Sequence, residues 1–508
     1  MHTSTIQKKR NETLIGGGKE RVVNQHKKGK LTARERIKVL LDKNSFEEYG
    51  VFAQHRCDNF NMDKNIITGD GVVTGVGKIN GKTCFTYAQD FTVFGGSLGE
   101  MHAKKICNLM DMAAKAKAPL ICINDSGGAR IQEGIDSLAG YGDIFQRNVN
   151  LSGVIPQISL IMGPCAGGAV YSPALTDFIF MTCNTSFMFV TGPAVVKSVT
   201  YEQITTEKLG GASVHDKKTG IVDAVFNNDI ELLTYIRKFM RFIPNSNKEV
   251  LPVLTTTDTP SRPTHALEGI IPSNPNTPYD IRHVISIIAD ENQFTEIQQN
   301  FATNIVIGFA HMNGTTVGIV ANQPNSLAGC LDINASRKAA RFIRFCDAFN
   351  IPIVTLVDVP GFLPGTNQEH NAIIKHGAKL AYAYAEATVP KITIALRKAY
   401  GGAYIAMGSK HLGGDINYAL QDAEIAVMGP KGAVEIIFSK HVNDPEKLEI
   451  LTKEYRKKFA TPITTASRCF LDDIISSSKV RFKICYALEI LKHKSISGYW
   501  KKHDNLPL

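Results

Sequence analysis

Two glycine pairs, Gly167-Gly168 and Gly401-Gly402, occupy the same place in two similar stretches of a chain of 508 residues. The first glycine of each pair follows a proline by 11 residues, counted from Pro156 (167 − 156) and from Pro390 (401 − 390). Main-chain N–H groups at such a turn can stabilise a negatively charged oxygen in an intermediate. A single pair would favour another interpretation, in which glycine only allows a helix to pack closely on a strand. Two pairs in register favour two equivalent anion-stabilising sites, as a transfer between two substrates requires.

The sequence predicts a strand before each glycine pair and a helix after it. A proline followed by an apolar, β-branched run is typical of a buried strand in a parallel sheet. Such runs occupy residues 119–124, 156–161, 351–357 and 390–395. The alanine-rich segments 169–176 and 403–409 predict helix starts, where free N–H groups and the helix dipole favour negative charge.

Turn and cap signals place the remaining elements. Residues 79–82 and 312–315 each carry Asn-Gly between apolar runs and predict hairpins. Thr32 predicts the N-cap of a helix, and a second helix should open near residue 94 and run through Lys117. Residues 243–280 are rich in proline and threonine. Such a stretch cannot hold a helix and should cross between two domains on the surface.

Composition limits the classes of protein. Hydrophobic residues make up 44% of the chain and charged residues 20%, and no apolar run approaches the ~18 residues of a membrane span. Residues 1–30 lack the apolar segment of a secretory signal. The ten cysteines form no CxxC motif, so we expect reduced cysteines, a cytoplasmic location and no metal site. The net charge of +10 fits a phosphate-rich small ligand or a plain basic surface; no nucleic-acid reader motif accompanies it.

Several motifs of other enzyme classes are missing. Residues 192–198 imitate a phosphate loop but carry Lys197 where the second glycine belongs. The chain has no GxSxG, no HExxH and no Ala-Met-Lys-Met attachment site for biotin. The sequence therefore gives no sign of ATP chemistry on this chain.

The longer motifs carry a resemblance to a known family. The chain resembles the carboxyltransferase subunits of biotin-dependent acyl-CoA carboxylases, and is most similar to those that use propionyl-CoA. The matching stretches are residues 29–37, 126–134, 163–174, 358–365, 397–404 and 423–433. The resemblance runs from about residue 10 to the end of the chain.

The resemblance implies an α/β protein of two tandem crotonase-like domains, each a β-β-α spiral superhelix. It predicts an acyl-CoA domain over residues 1–250, a linker over 251–279 and a biotin domain over 280–508. It also implies a hexamer whose active sites lie between the first domain of one subunit and the second domain of a neighbour. Biotin would be carried by a partner, the biotin carboxylase or biotin carboxyl carrier subunit, and neither nucleic acid nor a membrane is expected as a partner.

The same resemblance assigns roles to residues at the matching positions. The amides of Gly167 and Gly168 would hold the enolate oxygen of the acyl-CoA thioester, and those of Gly402 and Ala403 the ureido oxygen of biotin. Related crotonase-like enzymes suggest further donors and binding residues, which here are Gly128, Ala129, Gly361, Phe362, Tyr404 and Ile405. Carboxybiotin would release CO2, biotin N1 would take the α-proton of the acyl-CoA, and the enolate would attack the CO2. No side-chain base is needed, in agreement with the absence of His or Glu from both glycine motifs.

Some positions depart from the family's pattern. Ile405 follows Tyr404 where propionyl-specific members often carry Asp, which leaves the acyl chain open between acetyl, propionyl and butyryl. Cys469-Phe470 replaces a usual Gly-Tyr. Two other functions stay open, the transferase subunit of a sodium-pumping, biotin-dependent acyl-CoA decarboxylase and an inert scaffold. A crotonase-type hydratase would need paired Glu residues near one glycine motif and no second site.

Overall fold

The apolar runs predicted as strands form two sheets, one in each half of the chain. The computed structural model describes residues 3–496 and 499–507, with side chains from residue 6 onward. The chain divides into two units, the first ending at Glu249 and the second beginning at Val250. Within the described residues, each unit holds one mixed sheet of eight strands.

The first unit contains the following elements. Its strands are β1 (Glu47–Tyr49), β2 (Val72–Ile79), β3 (Lys82–Gln89), β4 (Leu120–Ser126), β5 (Gln157–Ala166), β6 (Phe178–Thr182), β7 (Phe187–Phe189) and β8 (Ala224–Phe226). Its α-helices are α1 (Thr3–Leu14), α2 (Lys19–Lys27), α3 (Ala33–Leu40), α4 (Glu100–Ala116), α5 (Ile135–Leu151), α6 (Tyr171–Ala174), α7 (Pro193–Thr200), α8 (Thr206–Gly210), α9 (Ala212–Val214) and α10 (Asp229–Phe239). The sheet order is β1-β2-β3-β4-β5-β6-β8, with β7 paired to β5.

The second unit repeats this architecture. Its strands are β9 (Phe294–Ile297), β10 (Ile305–Met312), β11 (Thr315–Asn322), β12 (Ile353–Val359), β13 (Lys391–Tyr400), β14 (Ile416–Leu420), β15 (Glu424–Ala426) and β16 (Asp473–Ile475). Its α-helices are α11 (Leu267–Ile270), α12 (Ile281–Ile288), α13 (Ile333–Ala348), α14 (Thr366–His370), α15 (Ile373–Glu386), α16 (Gly401–Ala406), α17 (Pro430–Ile437), α18 (Pro445–Phe459), α19 (Pro462–Ala466) and α20 (Val480–Ile490). The order is β9-β10-β11-β12-β13-β14-β16, with β15 paired to β13.

The two sheets match in direction as well as in order. The first three strands of each are antiparallel, and the later pairings are parallel. The predicted hairpins are confirmed, because two-residue Asn-Gly turns with positive φ join β2 to β3 and β10 to β11. Both sheets also shift register near the end of the central parallel pair, between Asn124 and Ser126 and between Val357 and Val359. These shifts lie at the ends of the central strands, near the glycine pairs that follow β5 and β13.

Apolar sequence explains why the central strands are covered on both faces. Every residue of β4 and of β12 is buried, as expected for parallel strands flanked by helices. The predicted cap at Thr32 is confirmed, since its hydroxyl accepts from the Glu35 N–H in a capping box at the start of α3. The central strands therefore hold the turns that follow them at fixed positions.

Two details differ from the expectations. Residues 251–279, predicted as a linker without a helix, contain one helical turn, α11, and Val253 forms a bridge to Thr315. Prolines exclude a long helix but not a single turn that buries Leu267. After the glycine pairs, residues 169–176 form the end of a 3₁₀ turn and the four-residue α6, whereas α16 begins at Gly401, before the predicted start.

In each unit a buried lysine donates to several main-chain carbonyls. Lys105 Nζ donates to the carbonyl oxygen of Gly69 at 2.8 Å and also to that of Val72. Lys338 in α13 does the same in the second unit, to Phe301 and Ile305, both at 2.8 Å. Burial lowers the pKa of Lys105 to about 8, because desolvation disfavours the charged form.

We expect the stability of the first unit to depend on pH through Lys105. Because the folded-state pKa is lowered, the unfolded chain binds more protons than the folded chain between about pH 8 and pH 10. The contribution of this lysine to stability therefore rises with pH in that window, by at most about 1.4 kcal/mol per pH unit. Thermal unfolding should be measured for the wild type and for Lys105→Met at pH 7.5, 8.5 and 9.5. The stability of the wild type relative to that of the variant should increase with pH. Lys104→Met, on the exposed side of the same helix, is the control and should show a constant difference; a constant difference for Lys105→Met as well would contradict the prediction.

Candidate active site

The turn after β4 presents an unused amide. Leu98 pairs in parallel with Ala129, donating its N–H to Gly128 O and accepting from Arg130 N–H, both at 2.9 Å. The pairing uses the carbonyl of Gly128 and the N–H of Arg130, and it does not use the N–H of Ala129 itself. Within the described residues the Ala129 N–H makes no hydrogen bond.

The turn after β12 has the same geometry. Leu331 donates to Gly361 O at 3.1 Å and accepts from the Leu363 N–H at 2.7 Å. The N–H of Phe362 has no acceptor in the part of the chain that the structure describes. A side chain at Gly377 in α15 would lie 3.0 Å from the Phe362 ring, so that ring packs against the helix at its glycine. The second donor-bearing turn is thus fixed by apolar packing.

Both glycine pairs begin at the end of a central strand. Gly167 follows β5 with φ 62°, and Gly401 follows β13 with φ 60°. These left-handed angles favour glycine and turn the chain sharply into the next helix. The first N–H groups of that helix have no partner within it. A side chain on Gly128 would lie 3.0 Å from the carbonyl oxygen of Ala166, so the two turns of the first unit lie against each other.

The second glycine of each pair has a different environment. At Gly168 an added Cβ would lie 3.2 Å from the buried ring of Tyr141, so close packing alone favours glycine there. At Gly402 an added Cβ would meet no atom within 4 Å, and the backbone is helical. Packing within the chain therefore does not explain the glycine at 402.

The open space beside Gly402 is a cavity of about 500 Å³ within the second unit. Tyr404 and Ile405 line it, together with apolar side chains of β15 and α18. Tyr404 is only 6% exposed, yet its hydroxyl has no hydrogen-bond partner among the described residues. Burial raises the pKa of Tyr404 to about 12, so the hydroxyl stays protonated and able to donate. Ala403, between Gly402 and Tyr404, is fully buried.

Buried charges hold the first site and were not identified from the sequence. Asp125, the residue before Ser126 in β4, is fully buried and accepts from Lys30 Nζ at 2.7 Å and from Arg36 Nη1 at 2.8 Å. In the second unit Asp358 takes the same position and accepts from Arg397 Nε at 2.9 Å. Burial raises the pKa of Asp358, and Arg397 opposes that shift. The aspartate near the end of both strands, Asp125 and Asp358, was the feature of the sequence from which these buried pairs could have been predicted.

A second buried network clamps the Ala129 turn directly. Arg130 is 1% exposed, and its Nη1 lies 2.6 Å from Asp70 Oδ1 and 2.7 Å from Glu133 Oε1. Its Nη2 donates to Ser97 O at 3.0 Å. Burial raises the pKa of Asp70, and the Arg130 charge opposes that rise. The direction of the Ala129 N–H therefore depends on a guanidinium at the next residue.

We expect Cys469→Gly to stabilise the second unit by about 1 kcal/mol. Cys469 has φ 58°, in the left-handed region, where a side chain costs about 1–2 kcal/mol and glycine does not. The family's usual glycine at this position thus has a physical reason. Thermal unfolding should show a higher midpoint for Cys469→Gly than for the wild type. Cys469→Ala keeps the Cβ and should show no increase. Equal midpoints for the Gly and Ala variants would contradict this account.

No cluster of three or more His, Cys, Asp or Glu side chains among the described residues could hold a metal ion. None of the helices that the structure describes is long and apolar enough to cross a membrane.

Comparison with known proteins places these turns in a family. Residues 24–506 match the model of the carboxyl transferase domain. The chain is 59% identical over 503 residues to the propionyl-CoA carboxylase beta chain of Cereibacter sphaeroides, covering 99% of both chains. It is 55% identical over 493 residues to the methylmalonyl-CoA decarboxylase subunit alpha of Veillonella parvula, covering 97% of this chain and 96% of that one.

A solved structure supports the fold as well. The transcarboxylase 12S structure, a hexamer assembly with hydrolysed methylmalonyl-coenzyme A bound, matches with a TM-score of 0.97 and 49% identity. The match covers 99% of this chain and 98% of that chain. The predicted α/β fold of two tandem crotonase-like domains is confirmed. With unused amides repeated at the ends of both central strands, the chain belongs to the carboxyl transferase family, and the carboxyltransferase activity predicted from its motifs is confirmed.

Proposed function

We propose that this chain is the carboxyltransferase subunit of a biotin-dependent acyl-CoA carboxylase. It would move a carboxyl group from carboxybiotin to the α-carbon of a short acyl-CoA, with propionyl-CoA giving methylmalonyl-CoA. The observation that carries the proposal is the repetition of unused amides beside a glycine pair in both units. The 59% identity to a propionyl-CoA carboxylase beta chain supports the choice of substrate.

In the first unit, the amides of Gly167 and Gly168 would hold the thioester oxygen as it becomes an enolate. The Ala129 N–H, left free by the Leu98 pairing, would supply a partner donor, and Gly128 allows the turn to lie against Ala166 O. One such donor contributes about 3 kcal/mol to lowering the barrier. The first unit thus stabilises charge with main-chain groups alone and needs no side-chain base.

In the second unit, the amides of Gly402 and Ala403 would hold the ureido oxygen of biotin. The N–H of Phe362 is the partner donor, as Gly361 shapes the turn that presents it. Biotin, when bound, supplies the carboxyl group and the base for the α-proton. The residues fit such a group, because the cavity of about 500 Å³ joins apolar walls, at Ile405 among others, to an unpartnered Tyr404 hydroxyl.

The proposal includes the assembly in which these sites act. The similar transcarboxylase core is a hexamer, and we propose a homohexamer here, with each reaction centre formed by the first unit of one chain and the second unit of a neighbour. Biotin would arrive on a biotin carboxyl carrier subunit loaded by a biotin carboxylase subunit. We also propose that the protein is cytoplasmic.

A second function uses the same site in reverse. The 55% identity to a methylmalonyl-CoA decarboxylase subunit favours a decarboxylase transferase as the alternative. The amides stabilise the enolate and the biotin anion equally in either direction of the reaction. The partner subunits therefore determine whether carboxylation or decarboxylation takes place. The inert scaffold is disfavoured, because an idle copy would have no need of two intact sets of free amides.

Reconstitution tests the proposal. The purified chain alone should carboxylate nothing; with a biotinylated partner, ATP and bicarbonate it should fix carbon onto a short acyl-CoA. Acetyl-, propionyl-, butyryl- and methylcrotonyl-CoA should be compared, because the apolar Ile405 does not select one of the first three. Co-purification with a membrane-embedded partner would favour the decarboxylase instead. ATP-independent hydration of an enoyl-CoA would overturn the assignment.

A further inference from the structure

The cavity beside Gly402 carries positive charge and no negative charge. None of the described residues that line it is an aspartate or a glutamate, and its one guanidinium belongs to Arg468. The walls are otherwise mostly apolar, among them Ile405, Val427 and Phe459. Arg468 is exposed to solvent where it lines the cavity, and its guanidinium can form a bidentate pair with a carboxylate of an incoming ligand.

Arg468 has no carboxylate partner among the described residues. Its Nη1 donates to the carbonyl oxygen of Thr464 at 2.8 Å, and within the described residues it forms no ion pair. The acids that follow it in the sequence pair with other residues: Asp472 with Lys410 at 2.8 Å and Asp473 with Lys483 at 2.7 Å. Most of the N–H donors of this guanidinium are therefore available, in the fork that matches a carboxylate.

Arg456, a second arginine of this region, gives a contrast. It comes from α18, but its Nε lies 3.0 Å from Glu424 Oε1, and Glu424 also accepts from Tyr400. Its charge is thus compensated within the protein. Arg468, unlike Arg456, lines the cavity and has no carboxylate partner among the described residues.

The Tyr404 hydroxyl is the second group without a partner. Its residue is more than nine-tenths buried, lines the same cavity and has no hydrogen-bond partner among the described residues. Buried hydroxyls are nearly always bonded. A ligand oxygen in the cavity would satisfy this donor.

We propose that Arg468 and the Tyr404 hydroxyl bind the carboxylate of the group that enters this cavity, and so distinguish its carboxylated form from its uncarboxylated form. This inference rests on the proposed function, in which that group is the carboxylated ring of biotin. The Gly402 and Ala403 amides act on the ureido oxygen, so Arg468 has a separate role. Loaded carrier binds in preference to spent carrier.

The role of Arg468 predicts a particular kinetic signature. The carboxylate that it holds is lost during transfer, so the guanidinium stabilises the bound substrate more than the transition state. Interactions of that kind lower KM without raising kcat. Removing the charge should therefore raise KM for the carboxylated carrier while kcat does not fall.

Binding of stable analogues tests the inference without relying on turnover. The probes are a biotinamide with a carboxymethyl group on N1, which is anionic, and one with an ethyl group there, which is neutral and similar in size. Calorimetric titration of the full-length wild type should show about tenfold or more preference for the anionic probe. Arg468→Gln should abolish the preference while leaving the neutral probe's Kd unchanged, Arg468→Lys should keep part of it, and Tyr404→Phe should reduce it a few-fold.

Controls distinguish recognition of the ligand's charge from changes in the shape of the cavity or in the fold. Lys453→Gln removes a charge from α18 at an exposed lysine that pairs with Glu449, and it should leave both Kd values unchanged. If Arg468→Gln weakens both probes equally, Arg468 shapes the cavity and the inference fails. If the wild type transfers carboxyl groups but shows no preference between probes, the inference fails while the proposed function stands. If the wild type transfers no carboxyl groups in the reconstituted system, the proposed function fails, and the inference that rests on it fails with it.

Discussion

Gly402→Pro should lower the rate of carboxyl transfer by about a hundredfold or more while the protein remains folded. Proline removes the amide hydrogen that the second site would donate to the ureido oxygen. Residue 402 is the second residue of α16, where a helix tolerates proline. An added Cβ meets no protein atom within 4 Å, so the Cβ of the new residue causes no clash.

Gly402→Ala is the matched variant, because it keeps the amide hydrogen and adds only a methyl group. We expect it to lose far less activity than Gly402→Pro. Transfer from a carboxylated carrier to propionyl-CoA measures both, and thermal unfolding checks the fold. Near-normal activity of a folded Gly402→Pro variant would contradict the role of this amide. Gly401→Ala would not serve, because φ is 60° there and Val427 O lies 3.0 Å from the new Cβ.

Arg130→Met should destabilise the first unit by about 3–5 kcal/mol, the usual cost of leaving a buried charge without its partner. Asp70 is fully buried and Arg130 is 1% exposed, with 2.6 Å between their charged atoms. The variant should also lose transfer activity under conditions where it remains folded, because the Ala129 N–H adjoins this residue. Denaturant unfolding and steady-state transfer are the two measurements.

Two further variants locate the cause. Adding Asp70→Asn to Arg130→Met removes the orphaned charge and should restore part of the stability. Arg147→Met breaks an exposed pair with Asp111, whose side chains are 30% and 46% exposed, and should cost under about 1 kcal/mol. If Arg130→Met costs no more than Arg147→Met, the buried pair does not hold the turn.

The central strands β4, β5, β12 and β13, both Asn-Gly hairpins and the Thr32 cap could be predicted from the sequence, because each depends on residues near one another in the chain. The glycine pairs could be predicted because they occur twice. The free amide of Ala129 could not be derived from local pattern, since it depends on a pairing with Leu98, 31 residues earlier (129 − 98). The resemblance to the family, rather than spacing, indicated this residue.

The buried charges show where sequence reasoning ended. Lys30 and Arg36 lie in a charged N-terminal region typical of an exposed surface, yet they meet at Asp125, about 90 residues away (125 − 36 and 125 − 30). Nothing local distinguishes a lysine that will be buried from one that will remain in water. Likewise, the proline-rich residues 251–279 suggested a surface crossing, whereas contacts with β11 bring their start into the second unit.

The strained Cys469 has a practical consequence for handling the protein. It is the exposed one among the ten cysteines, all of which lie in the described part of the chain, and Arg468 and Phe470 on either side of it line the cavity. A maleimide fluorophore should therefore attach there first and report on carrier docking without engineered mutations. The same accessibility makes air oxidation at this thiol the first chemical damage to expect, so preparations should be kept with a reductant.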